Sequence, residues 1–209
     1  MAAHTLLWTE PMGLLFRMLC LGALVGVAGA PQVVDFHSGD VVLQASKSQR
    51  SALIRKASRS PYSHTGVVEV AKDGVFVIEA VQPVSRTPLA TWAKRGEGGK
   101  VTVLRATDVD GERVLAAARQ FLGRPYDAKY RWDDERIYCS ELVVKAFERG
   151  ASRSVGRHEQ VKDLALSADE LAMAARLGVV PEQTLVTPGS LVDDAQFTVV
   201  ATNATIRSR

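Results

Sequence analysis

Cysteine is scarce in this sequence of 209 residues, which holds only two. An excess of charge of one sign is missing as well: the formal balance at neutral pH is +3, too weak to point to a nucleic-acid partner. Sixteen glycines and eight prolines without a period argue against collagen, and an apolar share of 46% argues against a disordered chain. No internal repeat or low-complexity stretch interrupts the sequence, so one folded domain behind an N-terminal leader is expected. Clusters of His, Cys and carboxylates at ligand spacing, such as HExxH, are lacking, and neither a metal nor a cofactor is expected.

One uncharged run stands out. Met18 to Ala30 reads MLCLGALVGVAGA after Arg17, with Ala28 and Ala30 at the spacing of small residues that a signal peptidase reads. A membrane-crossing helix needs about 20 apolar residues, and Pro31, Gln32 and Asp35 stop the run early. The reading is a signal peptide over residues 1–30 and a mature domain over 31–209, exported to the periplasm or cell envelope. The alternative is a leader that stays uncleaved, the one route by which a membrane would be involved. Arg17, Met18 and Leu19 lack the small residue that precedes a lipidated cysteine, which argues against lipidation of Cys20. Residues 1–11 carry no Lys or Arg and include Glu10, so Met12 competes with Met1 as the start.

The mature chain reads as α+β. Ser38-Gly39-Asp40 turns into a strand, Val41 to Gln44. Ser46 to Ser58, with Ala52, Leu53, Ile54 and Ala57 among basic residues, suits a short amphipathic helix with a solvated basic face, ended by Pro61. Two β-branched runs, His64 to Val70 and Val75 to Val81, flank Lys72-Asp73-Gly74, a hairpin signal. Lys100 to Ala106 is a further strand. Asp110 starts a helix with Val114, Leu115, Ala118, Phe121 and Leu122 on one face, closed by Gly123 and Pro125. A second helix runs from Cys139 to Arg149, with Leu142, Val143, Ala146 and Phe147 inward and Gly150 past its end. Gln160 to Leu177 is helical in part, and Phe197 to Ala201 adds a strand after a turn at Thr187-Pro188-Gly189.

Without the leader Cys139 is the only thiol, so no internal disulfide forms, and a lone thiol in an oxidising compartment is either an inert core residue or a reactive one. Placement in the first turn of a helix lowers a thiol pKa and supplies N–H groups for an oxyanion. A thiolate nucleophile needs a histidine. His37 lies in the first turn and His158 in a polar loop, GRHEQ, whereas His64 opens a strand that holds it rigidly. A carboxylate on the neighbouring strand should orient the imidazole, and Glu79 is the only acid among Val, Ile and Ala there. His64 lies nine residues before Asp73 and Glu79 five after Gly74, so the two meet only across a bulge or an offset. Glu69 reads as solvent-facing and Asp40 as a turn or cap residue. Tyr138 either points its hydroxyl at the oxyanion or packs, and Tyr126 either lines the cleft or packs behind a helix end.

Four motifs in order, SPYSHTGVV, VFVIEAVQPVSRTPLATW, GRPYDAKY and IYCSELVVKAF, resemble the YaeF and YiiX group of permuted papain-like hydrolases. These are distant relatives of NlpC-type amidases and of lecithin:retinol acyltransferases. The likeness spans about Gly39 to Leu191. It implies a circularly permuted papain-like (NlpC-type) fold, an antiparallel sheet packed on helices, in which the histidine strand precedes the cysteine helix. It also implies Cys139 as nucleophile, His64 as base and Glu79 as orienting residue, where many papain-like enzymes have Asn or Asp.

The expected function is an exported cysteine hydrolase that cleaves an amide, a peptidoglycan peptide or a related one, through a thioester. Hydrolysis or transfer of lipid or ester acyl groups by the same pair is the alternative, and a broad apolar cleft would favour it. A binding protein without activity is the third reading, against which the intact Cys139, His64 and Glu79 argue.

Overall fold

Central strands with both faces covered should be apolar throughout rather than alternating, and the first strand, β1 (Val41–Gln44), is buried at all four positions. The computed structural model describes residues 34–206, so the signal-peptide expectation and Cys20 lie outside the described residues. Beside β1 run β2 (His64–Ala71) and β5 (Lys100–Ala106). Outward from β2 come β3 (Gly74–Glu79) and β4 (Ser85–Pro88), and outward from β5 comes β8 (Phe197–Thr205), giving six antiparallel strands in the order β4-β3-β2-β1-β5-β8. A separate two-stranded sheet pairs β6 (His158–Gln160) with β7 (Thr184–Val186).

Successive side chains leave a strand on opposite faces. Val41, Leu43, Val67, Ile78 and Leu104 face one core, which contains α3 (Gly111–Arg119) and α4 (Cys139–Ala151). Val42, Val68, Val77, Val101 and Val103 face another, capped by α2 (Leu89–Lys94) through Leu89, Trp92 and Ala93. Three further helices, α1 (Ser51–Ala57), α5 (Ala168–Arg176) and α6 (Pro188–Val192), lie near the N-terminal end of α4 or along the chain that follows it. Asp110 caps α3 by accepting the Glu112 and Arg113 N–H groups, and Ser167 with Glu170 forms a capping box on α5.

The hairpin at Asp73-Gly74, β5 and the starts of α3 and α4 agree with the sequence reading, and several details do not. The first helix begins at Ser51 rather than Ser46, because Ser46 and Ser48 bond to each other in the preceding turn. Leu122 is exposed, since α3 stops at Arg119 before it. Gly150 lies inside α4: a Cβ there would be 2.5 Å from the Val114 Cα, so glycine serves the α3–α4 contact and not the helix end. Ser152, with φ of 53°, takes the left-handed position that ends α4. Thr187-Pro188-Gly189 is the capped start of α6, and β4, α2, β6 and β7 have too few residues to leave a periodic signal.

Two acids also differ from expectation. Glu69 is 4% exposed, not solvated: it follows Val67 onto the α3 face, where Arg86 and Arg119 both meet its Oε1 at 2.9 Å. Asp40 is buried in the first turn, accepting the His37 N–H at 2.8 Å and holding Arg105 at 2.7 Å, which is the turn role expected of it.

Candidate active site

The first turn of α4 starts the site. Cys139 is its first residue, 5% exposed, and no side-chain oxygen of the preceding residue caps the turn. Its N–H groups and dipole therefore face whatever lies at the sulfur. The Glu141 carboxylate accepts the Tyr138 N–H at 3.3 Å and meets Lys145 at 2.8 Å, which ties down the entry to the helix. Burial pushes Glu141 up to about 8 against the pull of Lys145.

His64 reaches the thiol from the end of β2. Its Nε2 lies 2.7 Å from Glu79 Oε2, which leaves Nδ1 to meet Cys139. The β2–β3 register runs from Ala71↔Gly74 to Val67↔Ile78 without a bulge, and one further step sets Glu79 across from Gly66. His64 is thus the diagonal neighbour of Glu79 on one face of the hairpin, a separation that long side chains span. The offset allowed for in the sequence count is this diagonal. Gly66 keeps it open, since a Cβ there would lie 2.5 Å from Val77 Cγ1 and 3.3 Å from the Glu79 Cβ.

Burial by itself would lower the His64 pKa, but hydrogen bonds to Cys139 and to Glu79 raise it to about 9. Burial raises Cys139, and the hydrogen bond and charge of His64, with help from Ser140 and the Thr65 backbone, bring it below an ordinary thiol. Both shifts favour a thiolate–imidazolium pair. Glu79 is fully buried, yet held below the usual carboxylate range by His64, Thr87 and Arg95. Arg95 donates to its second oxygen, Oε1. The Trp92 ring stacks on His64 at 5.9 Å, shielding the pair from one side.

Trp92, Arg95, Thr87 and Gly66 were missed by sequence reasoning. A signal existed for two of them: Trp92 and Arg95 are three residues apart, the spacing that puts both on one side of a helix and its cap.

Tyr138 does not point at an oxyanion. As the extended residue before α4 it turns back into a cluster with Val161, Val179 and Leu185, and its hydroxyl accepts the Val186 N–H at 3.0 Å. Tyr126 is closer to the chemistry. Burial together with the Cys139 charge raises the pKa of Tyr126 and of Tyr130 beside it. The other described histidines stand elsewhere: His37 beside Asp35, and His158 in β6, not a loop, against Trp132.

Cys139 and Ser140 form part of the wall of a cleft of about 430 Å³. Leu53 and Ile54 of α1, Met173 of α5 with Leu177 just past its end, and Val186 and Pro188 supply much of the rest. Lys56 of α1 meets Glu170 of α5 at 2.7 Å, which joins two sides of the cleft.

A family profile described as permuted papain-like amidase enzyme, YaeF/YiiX, C92 family, matches residues 35–201. The uncharacterized protein YiiX of Escherichia coli K12 is 37% identical, with 88% of this chain and 95% of that protein covered. A crystal structure described as metalloprotein yiiX (DUF1105) from Escherichia coli O157:H7 superposes with a TM-score of 0.74 at 34% identity, covering 79% of this chain and 97% of the other.

Proposed function

This chain belongs to the permuted papain-like amidase family and is a cysteine hydrolase, and from that premise we propose that Cys139, His64 and Glu79 cleave an amide bond as a triad. The observation that carries the proposal is His64, bonded to Glu79 at 2.7 Å and close enough to the Cys139 thiol at the helix start for each to shift the other's pKa.

The Cys139 thiolate adds to the amide carbonyl carbon, and its oxygen, now negative, takes hydrogen bonds from the first-turn N–H groups of α4. His64 gives its Nδ1 proton to the nitrogen, the C–N bond breaks and the amine departs, leaving a thioester on Cys139. Water then loses a proton to His64 as its oxygen adds to the thioester. The C–S bond breaks, the acid leaves, and thiolate and imidazolium are restored. Glu79, with Arg95 on its far oxygen, fixes the ring orientation and stabilises the imidazolium.

The description of one relative as a metalloprotein finds no donor set here: among the described residues no group of three or more His, Cys, Asp or Glu side chains is placed to hold a metal ion, and Glu79 is turned to His64 and Arg95. No step is assigned to a metal. Export is part of the proposal on the strength of the leader over residues 1–30.

Alkylation of Cys139 by iodoacetamide at pH 6 tests the pair, because an ordinary thiol is almost wholly protonated there. The wild-type chain should react much faster than a free thiol, and His64→Ala should slow it. Equal rates in the two would remove His64 from the site.

A further inference from the structure

Two basic stretches that lie far apart in the sequence meet beside His64. Residues 45–60 hold Lys47, Arg50, Arg55, Lys56 and Arg59 and no acid, and residues 91–100 hold Lys94, Arg95 and Lys100 with Glu97 alone. Along the chain each reads as a solvated face. The backbone joins them: Ser46 bridges Gly96, the Lys47 N–H donates to the Arg95 carbonyl at 2.9 Å, and the Glu97 N–H donates to that of Ala45 at 2.8 Å.

Three of these cations are committed to acids. Arg95 holds Glu79, Arg55 meets Glu97 at 3.1 Å and Lys56 meets Glu170. Lys47, Arg50 and Lys94 are exposed and, among the described residues, pair with no carboxylate. The segment from Lys47 to Arg50 reaches both sides of the catalytic site. On one side the Lys47 ammonium donates to the Lys94 carbonyl at 3.1 Å, next to the arginine that holds Glu79 behind His64. On the other the Arg50 guanidinium stands 6.0 Å over the Tyr126 ring, and Arg50 lowers, as the Cys139 charge raises, the pKa of the Tyr126 and Tyr130 phenols. Unpaired cations this close to a reaction centre raise the local concentration of anions.

The departing amine takes its proton from His64, so it leaves past that ring and toward this basic rim. We propose that the amine half of the substrate carries a carboxylate, as an amino acid linked through its nitrogen does, and that Arg50 and Lys47 hold it while Cys139 takes the acyl half. The proposal rests on the triad reading above and adds to it the charge of the leaving group. The planar Arg50 fork matches a carboxylate, and Lys47 adds a second charge beside it.

The test offers the full chain benzoyl amides of glycine, β-alanine and 4-aminobutyrate, each beside the matching carboxamide, so that the charge and its distance from the scissile bond are what vary. For at least one spacer the acid should show a kcat/KM about tenfold above its carboxamide at low salt, a preference that shrinks as salt screens the rim. Arg50→Gln should lower that acid-to-carboxamide ratio about fivefold and Lys47→Gln about threefold. The loss should fall on KM, because the anchor holds substrate and transition state alike. Both side chains are exposed, so folding is spared, and thermal melting checks that. Ratios near one at every spacer, or ratios that the variants leave unchanged, would overturn the proposal and leave the amidase intact. A second measurement needs no turnover. Free 4-aminobutyrate should slow alkylation of Cys139 by iodoacetamide more than 4-aminobutyramide does, and Arg50→Gln should remove most of the difference. Equal protection by the two would overturn the carboxylate anchor, whereas equal alkylation of the wild-type chain and His64→Ala would sink the triad reading instead.

Discussion

At the scale of the residue, the site turns on how three ionisable groups shift one another. His64 is raised to about 9 although burial opposes its charge, and Cys139 is lowered although burial opposes its charge too. The reactive pair has the thiolate deprotonated and the imidazolium protonated. As pH rises through about 9 the imidazolium loses the proton that the leaving amine needs, so activity should fall there. On the acid side activity should fall only where Cys139 is protonated, below the ordinary thiol value. Glu79→Gln keeps an acceptor but removes the negative charge that helps raise His64, so the alkaline limb of the kcat/KM profile should move to lower pH. A merely structural role for Glu79 would leave that limb in place and shift only the melting temperature.

Magnitude separates orientation from chemistry. Loss of an orienting acid in a triad costs up to about ten-thousand-fold. Turnover by Glu79→Gln should therefore fall clearly but less than by Cys139→Ala. Residues that act as a unit are far from additive, and the Glu79→Gln, His64→Ala double variant should be little worse than His64→Ala. If the double loss equals the product of the single losses, the triad shrinks to a Cys139 and His64 dyad.

At the scale of the element, α4 carries Cys139, the proposed nucleophile, and its placement depends on close contact with α3. A helix-interior glycine ordinarily loses about 1 kcal/mol relative to alanine. Gly150→Ala should reverse that sign, because the new methyl would lie 2.5 Å from the Val114 Cα and 2.6 Å from the Arg113 oxygen. The expected cost is about 1–3 kcal/mol of stability in denaturant unfolding. A stability unchanged or increased would mean that the two helices part without loss. The α2 helix has a comparable role on the other face of the sheet, setting Trp92 on His64 and Arg95 on Glu79.

For the whole molecule, the histidine hairpin comes before the cysteine helix in the chain, and the sheet brings them together. His64 and Glu79 stand at one end of β2 and β3, and the α4 first turn meets that end because α4 packs against the face built from Val41, Leu43, Val67 and Ile78. Export belongs to this scale as well. Mature protein from its natural host should begin near Pro31 and be recovered outside the cytoplasm. N-terminal sequencing that finds Met1 or Met12 on a cytoplasmic protein would defeat export and return the lone thiol to a reducing compartment.

The sequence by itself determined the local parts of this protein. Asp73-Gly74 specified the hairpin because its backbone geometry is intrinsic to those residues, and Asp110 and the apolar spacing after Cys139 marked two helix starts for the same reason. The triad candidates were legible too: an acid in an apolar strand and a thiol at a helix start are local anomalies. Only the tertiary structure decided what depends on which surfaces meet. It buried Glu69 under two arginines, drew Gly150 into α4, turned the Tyr138 hydroxyl to Val186, and set Arg95 on Glu79. It also formed the apolar cleft from α1, α5 and the segment around Val186. Such contacts join residues tens of positions apart, and no periodicity along the chain records them.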